Sequence, residues 1–183
     1  VLDHVDALKR FLADPDGLGN RVVLLDAVGH AQAIGLGELL AAAGKDTTCV
    51  TPLPMPMALD GESASAILPR AVQAGMVWRP NNAMAFIGDH EVTIVDVLSR
   101  AMETITDVDT VVIRTHGLPN DSLAHELEGK VDELVTVGDA VAVRLVDRAV
   151  YDGHVAARDA ERGRPDDEMR ATAPGDTCRS DQC

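Results

Sequence analysis

Gly138, Asp139, Ala140 and Arg144 are the residues whose types and spacing best suit ligand chemistry. They follow the apolar run Glu133–Val137, which the pattern predicts as a strand, and lead into Arg144–Arg162, predicted as a helix. A strand that ends in Gly-Asp and turns into a helix start suits the ribityl-pyrophosphate part of FAD. The glycine lets backbone approach the ligand, and the helix start offers N–H groups to a phosphate. Asp139 would accept hydrogen bonds from ribityl or ribose hydroxyls. Arg144 would neutralise a phosphate or an acidic neighbour. The structural alternative is that Asp139 only caps the helix.

The first strand-turn-helix of the chain reads differently. Arg21–Leu25 is a continuous apolar strand, and Asp26-Ala-Val-Gly29-His30 follows it, with Gly35 and Gly37 further on. A working dinucleotide turn has G-x-G-x-x-G directly after the strand, so that backbone reaches the pyrophosphate. Here an aspartate stands where the first glycine belongs, and a carboxylate repels a pyrophosphate. The turn is also about two residues longer than the usual form. The second strand ends at Val50-Thr51-Pro52, with no acid for a ribose 2′-hydroxyl and no arginine for a 2′-phosphate. NAD(P) is therefore not expected at this turn, and the fold reads as kept for its shape. Asp26 and His30 form either a catalytic pair or, as the commoner use, a turn and helix cap. His90, His116 and His125 have no metal-ligand spacing. His116 follows a buried strand, which fits a sheet-edge ligand position and a solvent-facing turn equally. No nucleophile–base or paired-carboxylate pattern stands out, so no catalytic residue and no metal site is assigned.

Composition bounds the partners. The 183 residues carry 30 acidic and 16 basic side chains, a formal net charge of -14, which argues against nucleic acid and anionic membrane. The same charge allows a basic protein partner. Only 2% of residues are aromatic against 46% hydrophobic, so the core must be built from Ala, Val, Leu and Ile. Cys49 lies in an apolar strand as a small core residue, and Cys178 and Cys183 lie in a polar tail without the four ligands of a zinc site. No apolar run is long enough for a membrane helix and no signal pattern opens the chain, so the expected compartment is the cytoplasm.

The elements that must position these groups alternate between strand and helix. Val1–Leu12 has apolar residues at helical spacing, and Asp14–Gly19 breaks it. Arg21–Leu25, helix Ala31–Ala43 ending at Gly44, and strand Thr47–Thr51 make a β-α-β unit. Ser63–Ala74 reads as a helix. Met76–Arg79, Ala83–Ile87 and Glu91–Val95 read as short strands of an antiparallel excursion. Val97–Glu103 fits either state, Asp109–Ile113 is another buried strand, and Ser122–Leu127 is a short helix. The fold class is α/β: a Rossmann-like dinucleotide-binding fold with a parallel sheet, a small antiparallel excursion and flanking pieces of a second, FAD-like domain.

Arg21–His30, Gly35–Gly44 and Val50-Thr51 resemble the NAD-type small domain of the trimethylamine dehydrogenase family. That family includes histamine and dimethylamine dehydrogenases, N-methyl amino-acid demethylases and 2,4-dienoyl-CoA reductases. Gly117–Leu123 and Val137-Gly-Asp-Ala140, Arg144, Ala149, Asp152-Gly-His154 and Ala157-Arg158 are similar to its last strand and helix. The resemblance implies a large flavin and iron-sulfur oxidoreductase with an N-terminal barrel carrying FMN, a 4Fe-4S cluster, and two C-terminal domains like FAD- and NAD-binding domains. It implies four stretches here: 1–20 as entry segment of the FAD-like domain, 21–137 as NAD-like small domain, 138–163 as return segment, and 164–183 as polar tail. The barrel, the cysteine cluster and the Gly-rich opening of the FAD-like domain have no counterpart in this sequence. FMN and 4Fe-4S are thus expected on a larger barrel subunit or on the rest of the same chain, with FAD or ADP shared between the two. The exposed apolar faces of residues 1–12 and of the last helix would need such a cover. Two function classes stay open: a portion of a flavin-dependent dehydrogenase or demethylase, and a non-catalytic module docking an electron-transfer flavoprotein.

Overall fold

The computed structural model describes residues 1–162. The polar tail, with Cys178 and Cys183, lies outside the described residues. The chain divides into two compact units between His116 and Gly117.

The first unit holds β1 (Leu2–Asp3), α1 (His4–Ala13), β2 (Arg21–Asp26), α2 (Ala31–Ala42), β3 (Asp46–Val50), α3 (Gly61–Gln73) and β4 (Val77–Arg79). It continues with β5 (Asn82–Ile87), β6 (Glu91–Asp96), β7 (Met102–Thr106) and β8 (Thr110–Arg114). β1, β8, β2, β3 and β4 lie side by side in that order as a five-stranded sheet, every neighbouring pair parallel. β5, β6 and β7 form a separate antiparallel sheet.

The continuous apolar run of β2 has a direct packing reason. Side chains alternate across a strand, so a strand covered on both faces needs apolar residues at every position. Val22 and Leu24 join the core with Phe11, Ile34 and Leu40 from the helices and Met76 from the turn before β4. Val23 points the other way, into a second cluster with Val50, Val111, Val92 and Ile94, where the antiparallel sheet is the cover. The aromatic-poor composition is met by small aliphatic side chains in both layers.

Local signals set the helix ends. The Asp3 carboxylate accepts the N–H groups of Val5 and Asp6 at 2.7 and 3.0 Å, capping α1. The Asp60 carboxylate accepts from Ser63 N–H at 2.9 Å and caps α3. α2 ends where Gly44 takes φ +85°, a conformation that costs glycine nothing. The undecided stretch after β6 is resolved by Asp96, whose carboxylate accepts Leu98 and Ser99 N–H groups and turns the chain into β7. α1 lays Ala7 and Phe11 on the unit's own core, so this face of residues 1–12 is covered from within; Val5, Leu8 and Leu12 stay exposed.

The second unit contains α4 (Ser122–Leu127), a 3-10 turn at Gly138–Ala140 and α5 (Val146–Arg162). The strand expected at Glu133–Val137 is not formed; those residues are irregular. Its composition favours a strand, but a strand needs a neighbour for its N–H and C=O groups, and this unit holds no other strand among its described residues. Among those residues only Gly138 is buried, so the described part of the unit has no apolar core of its own. Among the described residues no helix is long and apolar enough to cross a membrane.

Candidate functional site

Gly138 takes φ +62°, which explains glycine there: an L side chain would be strained, and its Cβ would lie 3.4 Å from Ala149 Cβ. Asp139 follows at the surface. Its carboxylate accepts from Arg144 N–H at 3.3 Å, a long bond. The helix expected from Arg144 starts two residues later, at Val146, so Asp139 is not its cap residue. In between, the N–H groups of Val141 and Ala142 both go to the Gly138 carbonyl, at 3.0 and 3.1 Å. Those two amides are not free for a phosphate. Arg144 donates to Ala142 O at 3.3 Å and pairs with the Asp152 carboxylate. Of its two expected roles, the structure displays the neutralisation of an acidic neighbour. The exposed Asp139 carboxylate keeps most of its accepting capacity.

The Asp26 turn is built quite differently. Asp26 is completely buried, and its Oδ1 accepts from Val28 N–H at 3.1 Å and Gly29 N–H at 2.8 Å. Burial pushes the carboxyl up from its usual range, against the lowering effect of those two amides and of the nearby Arg114 guanidinium. His30 is the N-cap residue of α2, but its side chain makes no capping bond. The cap reading thus holds for the position and fails for the side chain. Arg114 was not singled out in the sequence. It ends β8, in register with Asp26 at the end of β2, and only the strand pairing reveals that. Gly35 and Gly37 lie within α2, one turn and more from the strand exit.

His90 Nδ1 donates to Val108 O, 3.1 Å away, and His125 Nδ1 donates to Asp121 O at 3.1 Å. Among the described residues no cluster of three His, Cys, Asp or Glu side chains could hold a metal. Cys49 is a buried free thiol whose pKa burial pushes up, which makes it a packing residue and not a nucleophile.

Fold and turns together define a dinucleotide-type α/β protein. No protein-family profile and no curated protein matches the chain. Among solved structures, 6-hydroxypseudooxynicotine amine oxidase from Pseudomonas geniculata N1 matches 85% of this chain and 24% of its own, at 26% identity and TM-score 0.71. Histamine dehydrogenase from Rhizobium sp. 4-9 matches 90% of this chain and 26% of its own, at 24% identity and TM-score 0.75. A 2-naphthoyl-CoA reductase in complex with 2-naphthoyl-CoA matches 83% of this chain and 24% of its own, at 22% identity and TM-score 0.64. The chain is thus similar to the NAD/FAD-like domain region of the trimethylamine dehydrogenase, histamine dehydrogenase and 2,4-dienoyl-CoA reductase family. It spans about a quarter of the length of these solved proteins.

Proposed function

We propose that this chain is a non-barrel portion of a flavin-dependent oxidoreductase of the amine dehydrogenase or demethylase kind. The observation that carries this is the match of most of the chain to a quarter of an amine oxidase. In this reading Gly138, Asp139, Ala140 and Arg144 help to hold FAD or ADP. Asp139 takes ligand hydroxyls, and Arg144 orders the turn through Asp152. A flavin here would relay electrons, whereas ADP would only tie the assembly together. FMN, the 4Fe-4S cluster and the substrate chemistry belong to a barrel on a partner subunit or on the rest of the chain. NAD(P) has no part in it. The domain division of the sequence, 1–20 and 138–163 as pieces of the FAD-like domain around 21–137, remains part of this proposal.

The second unit, which has no apolar core among its described residues, supports the reading. Val146, Val150 and Tyr151 of α5 are exposed, and a helix with such a face needs other polypeptide to cover it. The test is to purify the chain from its host with whatever it binds, then record a visible spectrum and identify released nucleotides. A complex holding a larger FMN-containing polypeptide supports the proposal. A stable, colourless chain without such a partner contradicts it. If an electron-transfer flavoprotein is recovered instead, bound to the acidic surface, the chain is a docking module.

A further inference from the structure

We infer that the chain plugs the dinucleotide crevice of its first unit with its own groups, the Asp26 carboxylate standing in for a pyrophosphate. In an open parallel sheet, ligands bind outside the carboxyl ends of the strands where the strand order reverses. Here that place lies between β2 and β8, because β3 and β4 extend from β2 on the other side. Three sets of contacts fill it. The amides of Val28 and Gly29, which a phosphate would take, both donate to Asp26 Oδ1. The β2–β8 ladder runs one residue beyond the strand end, with Ala27 N–H donating to Arg114 O at 2.9 Å, so the two strands do not part. The loop after β3 lies over the turn. A Cβ on Gly29 would stand 2.7 Å from Leu53 Cδ1 and 2.8 Å from Met57 N, and Ala58 N–H donates to Gly29 O at 3.0 Å.

That covering loop is fastened. Its carbonyls at Thr51 and Leu53 accept from Asn82 and Asn81 N–H groups at 2.9 and 3.2 Å, and Thr51 is fully buried. Asp26 Oδ2, His30 Nδ1 and Arg114 Nε are enclosed without hydrogen-bond partners. The buried Asp26 carboxylate sets a negative charge at the strand end where a pyrophosphate would lie, which disfavours a second anion there. The inference concerns the first unit alone and stands whether or not the proposed flavin site exists.

The test is amide NMR on the full chain, with inorganic pyrophosphate and then NADH as probes. In the wild type, neither probe should shift the Val28 or Gly29 amides. Saturable shifts at either residue would overturn the inference. Hydrogen exchange supplies the second arm. Asp26→Asn keeps an acceptor oxygen and should leave Gly29 exchange near the wild-type rate. Asp26→Gly removes the acceptor and should speed it by about tenfold, the factor for one lost hydrogen bond. Unchanged exchange in Asp26→Gly would overturn the role of the carboxylate. Should that variant not fold, the wild-type titration and Asp26→Asn still decide the matter.

Discussion

Gly35 and Gly37 offer a matched pair of substitutions that separates a ligand-loop glycine from a packing glycine. Both lie inside α2, where alanine is favoured over glycine by about 0.8–1 kcal/mol. Around Gly35 nothing lies within 4 Å of an added Cβ. Gly35→Ala should therefore deliver the propensity gain nearly whole. Around Gly37 the same Cβ would lie 2.4 Å from Met76 Sδ and 3.8 Å from Leu24 Cδ1. Met76 is 2% exposed and must move within a filled core. Overpacking costs about 1–3 kcal/mol, at the lower end for a flexible thioether. Set against the same gain of ~1 kcal/mol, Gly37→Ala should be near neutral or up to ~2 kcal/mol destabilising. In a chain of this size ~1 kcal/mol moves Tm by roughly 2–4 °C. Denaturant titration and thermal melts of both variants measure this directly. A Gly35→Ala variant less stable than wild type, or a Gly37→Ala variant raised as much as Gly35→Ala, would refute the reasoning.

Two further substitutions bear on the turn after β2. Gly29→Ala should destabilise by about 2 kcal/mol or more, since φ is +73° and the new methyl meets backbone of the covering loop; a melt within a degree of wild type would count against the plugged turn. Asp26 gives a pH signature. Burial raises its folded pKa above the ordinary 3.8, so its contribution to stability is highest below 3.8 and declines as pH rises through the folded value. Asp26→Asn removes that slope, and its Tm should gain on wild type between acid and neutral pH; parallel Tm-versus-pH curves would contradict this.

Much of the first unit was legible because β2, α2 and β3 carry period and punctuation together: a continuous apolar run, a helical stretch, then Gly44. Met102–Thr106 was not, because its strand state comes from pairing with β6, with Val95 opposite Met102 and Ile94 opposite Glu103. The difference at Glu133–Val137 has the same origin with the opposite sign, a strand-forming sequence without a neighbouring strand in its unit among the described residues. Of the candidate sites, the unusual position of Asp26 was visible in the sequence, but Arg114 and the loop from Leu53 to Met57 that complete its surroundings were not. They come from distant parts of the chain and are brought there only by the sheet order. Gly138 and Asp139 stand together as expected. The helix expected from Arg144 starts two residues later, at Val146.

The account's central claim is that the Gly138-Asp139 turn contributes to a flavin or ADP site. It is tested most directly by bound nucleotide per complex in the protein that contains this chain, for wild type and Asp139→Ala. The exposed carboxylate has one long internal bond to lose, so folding should change little. Nucleotide affinity should fall by about 1–3 kcal/mol, the cost of leaving ligand hydroxyls unpaired in the site. The account predicts depleted flavin or ADP at a Tm, measured without nucleotide, close to wild type. Equal nucleotide content in both proteins would contradict it and leave Asp139 as a residue of the turn alone.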